Sequence, residues 1–275
     1  MFDSGAKGKC HPADLILKQK RGSCIIFGRM KRRDGAHGAA GREDPEHRDH
    51  LSTDKLQKAA FYDLDGTLLS CNLVTTYAYY ARNDRSIFKS AYLLTKVILS
   101  APLLLGLDLY SRTLFNIYFF KVYRNMPRDR LIGLADDLFE ETLKPSIYPK
   151  AEGLVQQTRQ DGYRNILVTG ALDFTVRPIA LHFGIEEVIC NRLEFKNHIA
   201  TGRVLPPLVA EKEKARIIRD YAAKEGIDLA QSCAFSDSTS DLPMLTVSGH
   251  PVATNPSRRL RNVALRNEWP ILELS

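Results

Sequence analysis

The chain has no closely spaced cysteines from which a scaffold could be built. Its five, Cys10, Cys24, Cys71, Cys190 and Cys233, are odd in number and widely scattered. No disulfide framework or zinc-ligand spacing can be read from them, and reduced thiols in a cytoplasmic protein are expected. Seventeen glycines and 13 prolines among 275 residues are too few for a collagen-like or low-complexity chain. Long apolar runs are missing as well. The longest charge-free one, Val97 to Leu107, holds eleven residues, contains Pro102 and is bounded by Lys96 and Asp108. A spanning helix needs about twenty, so no transmembrane segment is predicted. The first residues, with Asp3 among them, lack the apolar region of a secretory signal. Nor is there a strong excess of one charge. The 39 Lys+Arg and 32 Asp+Glu give +7, of which residues 1–57 carry +4. The remaining body is nearly neutral, and no nucleic acid is expected to bind it.

Residues 1–57 contain seven of the 17 glycines, four of the seven histidines and no tyrosine. Such a stretch cannot bury enough apolar surface to offset its ordering entropy, and it is expected to be a disordered basic extension. From Lys58 onward the pattern alternates. Short apolar runs at Ala59–Leu64, Asn165–Val168, Ser232–Phe235 and Val252–Thr254 read as buried strands. Helical stretches fall at about Pro149–Gln160, Phe174–Phe183, Glu211–Lys224 and Asp241–Thr246, and Glu194–Leu205 reads as a β-hairpin. This order predicts an α/β fold, a doubly wound, Rossmann-like parallel sheet whose ligands bind at the carboxyl ends of the strands. Between about Asn72 and Ile147 only helix-compatible sequence occurs, with breaks expected at Pro102, Gly106 and Pro127. The expected division is a core of 58–75 and 148–275 with a helical cap, 76–147, inserted over the site.

Two acidic pairs stand at predicted strand ends. Asp63-Leu64-Asp65-Gly66-Thr67 follows the first strand, and Ser236-Asp237-Ser238-Thr239-Ser240-Asp241 follows another. Clustered carboxylates repel one another and lose hydration unless a cation or proton compensates. One residue between the first two acids lets one side chain and the other's backbone carbonyl face a single hard cation, and Gly66 permits the sharp turn. Oxygen donors of this kind suit Mg²⁺, which keeps waters and substrate phosphate in its shell. Thr169-Gly170, between a strand and a helix, offers a hydroxyl and backbone N–H groups to an anion. Lys212 and Lys214 open a later helix, and either can neutralise a phosphate as a point charge.

Asp63-x-Asp65-Gly66-Thr67, Thr169, Lys214 and Asp237-x-x-x-Asp241, in this order, resemble the motifs of haloacid dehalogenase-like hydrolases. More narrowly the chain is similar to the subfamily that includes phosphoserine phosphatase, with a helical cap after the first motif. The similarity covers about residues 58–275 and includes Gly249–Pro256 and Trp269–Leu272. It implies a phosphoric monoester hydrolase acting through an aspartyl-phosphate. Asp63 would be the nucleophile and Asp65 the acid and base. Mg²⁺ would sit on Asp63, the Asp65 carbonyl and Asp237, with Asp241 positioning its shell. Thr67, Thr169, Gly170 and Lys214 would hold the phosphate; Lys214 is preferred to Lys212 because the family places this lysine just before Ala215-Arg216. Two positions depart from the pattern. Ser236 replaces a glycine, and Asn72 stands where phosphoserine phosphatases carry a glutamate for the substrate ammonium.

The cap is rich in Leu, Ile, Val and Phe, which fits a helix–helix core. The same residues with Lys89, Lys96, Arg112, Lys121 and Arg124 also fit peripheral membrane contact. The expected substrate is accordingly a small phosphorylated metabolite or a lysophospholipid-type monoester. The competing function is a catalytically idle phospho-ligand-binding or membrane-surface module of the same fold. Retention of both a nucleophile and an acid/base favours the enzyme.

Overall fold

Every residue of β1 (Ala59–Tyr62) is buried, because this strand forms the centre of a sheet covered on both faces. Side chains alternate across it. Ala60 and Tyr62 join an apolar cluster with Leu154, Leu167 and Ile179, whereas Ala59 and Phe61 join Ile218, Met244 and Leu260 on the opposite face. The computed structural model describes residues 57–84 and 86–275, without the side chain of Asp108. The predicted N-terminal extension lies, but for Gln57, outside the described residues, as do Cys10 and Cys24.

After β1 come α1 (Leu73–Arg82), α2 (Ile87–Tyr110), α3 (Arg112–Phe119), α4 (Arg128–Gly133) and α5 (Ala135–Leu138). The helix α6 (Ala151–Gln160) then leads into β2 (Arg164–Leu172), followed by α7 (Asp173–Phe183) and the hairpin β3 (Glu187–Lys196) with β4 (Ile199–Leu205). The chain closes with α8 (Glu211–Glu225), β5 (Cys233–Ser236), α9 (Leu242–Val247), β6 (His250–Thr254), α10 (Arg258–Arg266) and β7 (Ile271–Leu272). The seven strands are ordered β4-β3-β2-β1-β5-β6-β7. All pairs are parallel except β3–β4, so the hairpin makes the sheet mixed. The fold is the expected doubly wound α/β sheet with an inserted helical cap. Successive strands run outward in one direction from β1 and then, from β5, in the other, which puts the switch point of strand order between β1 and β5.

The cap holds together through rings. Tyr77 meets Tyr123 edge-on at 5.2 Å, Phe115 stacks on Phe119 at 5.3 Å, and Tyr80 meets Phe174 of α7 at 5.9 Å. That last contact seats the cap on the sheet's helices.

Two local expectations are corrected. The strand predicted to stop at Val168 runs on to Leu172, with a register shift against β3 between Val168 and Leu172. The break expected at Pro102 and Gly106 does not occur: α2 continues for 24 residues through both. Val97 and Leu104, on either side of the proline, are buried against the cap, and this packing offsets the lost hydrogen bond. Most other large side chains of α2 are exposed, so the helix–helix core reading holds only for one stripe. Ile87–Leu107, interrupted by only two lysines, is long and apolar enough by length and composition to cross a membrane, which the eleven-residue charge-free run concealed.

Candidate active site

Both acidic pairs lie at the switch point. The Asp63 backbone N–H donates to the Phe235 carbonyl at 3.0 Å, pinning the end of β1 to β5. The Leu64 carbonyl then accepts from the N–H groups of Thr67, Leu68 and Leu69, folding the next residues into a tight loop. Gly66 in that loop has φ of 83°, and any Cβ there would overlap the Asp237 carboxylate. A glycine is required on both counts. The hydroxyl of Thr67 lies 3.4 Å from both Asp63 Oδ2 and Asp237 Oδ1, so the two carboxylates are close neighbours.

Lys214, in the first turn of α8, is buried with its Nζ 2.6 Å from Asp63 Oδ1 and 2.9 Å from Asp241 Oδ2. Burial opposes the ammonium, but the carboxylates of Asp241 and Asp63 outweigh it and hold the lysine protonated well above its ordinary range. Lys214, rather than Lys212, is therefore the lysine at the site. Burial raises the Asp63 carboxyl, with Lys214 pulling the other way. Asp65 is pushed up to about 7 by burial and by the Asp63 charge, and Asp237 to about 7 by burial and by Asp63 and Asp241.

These groups line a cavity of about 210 Å³ that contains Asp63, Asp65, Gly170, Lys214, Asp237 and Asp241. Thr67 and Thr169 are fully buried and do not line it. The Thr169 hydroxyl instead accepts from the Ala171 N–H at 3.1 Å, spanning Gly170 within the register shift of β2. Ser236, where a glycine was expected, is also fully buried, and its hydroxyl donates to Asp241 Oδ2 at 2.8 Å. Asn72 accepts from the Val74 and Thr75 N–H groups as the N-cap of α1, a structural task. A roomier cavity, about 350 Å³ between α7, β3 and α8, has Asp173 as its one carboxylate.

Sequence reasoning missed the cap's share of the site. Arg112 and Asn116, one turn apart on α3, line the cavity, as does Glu211 at the start of α8. The buried Asn116 Oδ1 has no hydrogen-bond partner. An amide inside the apolar run from Leu114 to Phe120 was the available signal. Glu211 joins cap to core: its carboxylate accepts from the Arg112 N–H at 2.6 Å and the Thr113 hydroxyl at 2.9 Å.

Among the described residues, no three His, Cys, Asp or Glu side chains group so as to hold a metal ion by themselves. The oxygen donors the cavity does offer are the neighbouring carboxylates of Asp63 and Asp237. Asp63 and Asp237 are brought together at Thr67 with Lys214 as the buried cation beside them. Both features fit Mg²⁺, a hard cation satisfied by few protein oxygens.

A crowded acidic cavity at the switch point of a capped α/β sheet defines the class. Residues 60–246 match the haloacid dehalogenase-like hydrolase family, and the chain belongs to that family of hydrolases. Among relatives, it is 28% identical over 241 residues to a probable phosphatase of Mycobacterium tuberculosis, covering 86% of this chain and 82% of that protein. It is 29% identical over 220 residues, 78% of each chain, to the "inhibition of morphological differentiation protein" of Streptomyces azureus. Its fold is similar to that of a protein of unknown function from Bordetella pertussis Tohama I, with a TM-score of 0.70 and 23% identity over 80% of this chain and all of that one. A phosphoserine phosphatase solved as a phospho-aspartyl intermediate analogue gives a TM-score of 0.57 at 21% identity, over 80% and 95% of the two chains.

Proposed function

We propose that the protein is a cytoplasmic, Mg²⁺-dependent phosphatase that hydrolyses a phosphate monoester through phosphorylation of Asp63. The observation that carries this reading is the placement of Asp63 between Lys214 and Asp237 in the wall of one cavity. An Asp63 oxygen attacks phosphorus as the bond to the leaving alcohol breaks, and the acid form of Asp65 gives that alcohol its proton. Water then attacks the phosphorus of the phospho-aspartate and yields its proton to Asp65, and Asp63 is released as a carboxylate. Lys214 and the Gly170 backbone hold the phosphate oxygens, while Thr67 and Thr169 position Asp63, Asp237 and Gly170 from behind. Asp63, Asp237 and the Asp65 carbonyl would hold Mg²⁺, which would supply charge neutralisation at the phosphoryl group. Asp241, through Lys214 and Ser236, keeps the surrounding shell in place. Residues 76–147 form the cap, and Arg112 and Asn116 face the leaving group from it.

The substrate class is a small phosphorylated metabolite or a lysophospholipid-type monoester; Asn72, used as a helix cap, speaks against phosphoserine. The test is phosphate release from an activated aryl phosphate with Mg²⁺. Asp63→Asn should stay folded and lose turnover by about a thousandfold or more. Equal turnover by the variant and the wild type ends the nucleophile assignment. A binding module lacking catalysis would show no release in either protein.

A further inference from the structure

A surface helix of a soluble domain buries one stripe and turns charged or polar residues outward. On α2 only the first half of that rule holds. Ser90, Leu93, Val97 and Leu104 form its buried stripe. At about 100° per residue, the opposite arc of roughly 160° carries no charge along the whole helix. Phe88, Ile98 and Leu99 on that arc are 90%, 70% and 76% exposed, and Tyr92, Leu103 and Leu109 are exposed with them. Lys89 and Lys96 lie together along one edge of the arc, both exposed. Lys96 matches an anionic surface, with Lys89 beside it although that lysine also pairs with Asp84 at 3.2 Å, whereas a second copy of the chain would bring only further lysines and more uncharged side chains to the same face.

The helix is about 36 Å long, yet both of its ends are tied to one body. The Ser90 hydroxyl donates to the Arg82 carbonyl at 3.1 Å near one end, and past the other the Arg112 N–H is held by Glu211 of the core. This arrangement suits a helix lying in the interface plane and not one crossing it. The chain passes from Tyr110, the last residue of α2, directly to Arg112 and Asn116 at the cavity.

We propose that the outward arc of α2 docks the protein on a lipid bilayer containing anionic lipid, so that the cavity meets phosphomonoesters held there by an acyl chain. The docking stands on the helix alone; the substrate class rests on the phosphatase reading.

The full chain should float with vesicles of phosphatidylcholine and phosphatidylglycerol in a density gradient. Leu99→Glu combined with Leu103→Glu, both at exposed positions, should lose that flotation at least tenfold while keeping the wild-type far-UV spectrum and melting transition. Lys96→Glu should lose only the preference for the anionic lipid. Absence of wild-type flotation overturns the docking, as does a dimer in sedimentation that the double Leu variant abolishes without any vesicle binding. Asp63→Asn should still float. If wild type floats and releases phosphate from an aryl phosphate but none from lysophosphatidate in the same vesicles, the acyl-chain substrate is wrong. If it floats and hydrolyses neither, the phosphatase reading fails and the docking stands.

Discussion

Asp65 can protonate a leaving group only while it keeps a proton, and burial together with Asp63 raises its carboxyl to about 7. The first step should therefore slow as pH climbs through about 7, and a pH profile of single-turnover phosphate release should show that falling limb. Replacing Asp65 by Asn should remove the limb and cost about 100-fold to 10,000-fold in turnover. Ser236 permits a second test. Its hydroxyl bonds to the carboxylate that steadies Lys214, so Ser236→Ala should weaken phosphate binding through the lysine. Losing a hydrogen bond to a charged group costs about 1.5–3 kcal/mol. A rise of roughly tenfold in the Ki for inorganic phosphate is expected, with Ser236→Thr recovering part of it.

Among the elements, α3 and α8 meet through one carboxylate. Glu211 adopts φ of 46°, a conformation that side-chain-bearing residues seldom take, and accepts hydrogen bonds at the positive end of α3. Glu211→Ala should free that end of the cap and raise KM by about tenfold with a smaller change in kcat, as steady-state kinetics on an aryl phosphate would show. The elements also differ in how far the sequence revealed them. Strands β1, β5 and β6 were legible as short apolar runs because both of their faces are covered. Helix α10 was not, since Leu260 and Ala264 alone are buried among its arginines. Pro102 misled for a related reason: a proline reports the local loss of a hydrogen bond, while the packing on either side of it decides whether a helix survives. The acid pairs and Gly170 were readable because their chemistry restricts residue type and order, whereas Lys214 was separated from Lys212 only by resemblance to the family's motif. Arg112, Asn116 and Glu211 were not, because nothing local tells which cap residues will face a cavity built elsewhere.

At the scale of the whole molecule, Asp63, Asp65 and Asp237 all titrate above their ordinary range. A folded-state pKa above the unfolded value contributes stability that is complete below about 4 and is lost as pH rises through about 7. Metal-free protein in chelator should therefore melt at a lower temperature at pH 7.5 than at pH 5.5, by roughly 5 °C or more. Added Mg²⁺ should restore most of the difference, since an ion that binds only the folded state stabilises it. Calorimetry at the two pH values, with and without the ion, measures both effects, and a pH-independent melting temperature in chelator would contradict the raised carboxyls.

Among the described strands, the first to leave the ribosome is the one in the middle of the sheet. Lys214 is synthesised 151 residues after Asp63, and β5, the neighbour that receives the Asp63 N–H, comes later still. A nascent chain stalled before Lys214 thus has Asp63 but neither Lys214 nor Asp237 beside it, so the proposed turnover has to wait until residue 237 has been made and β1 and β5 have paired.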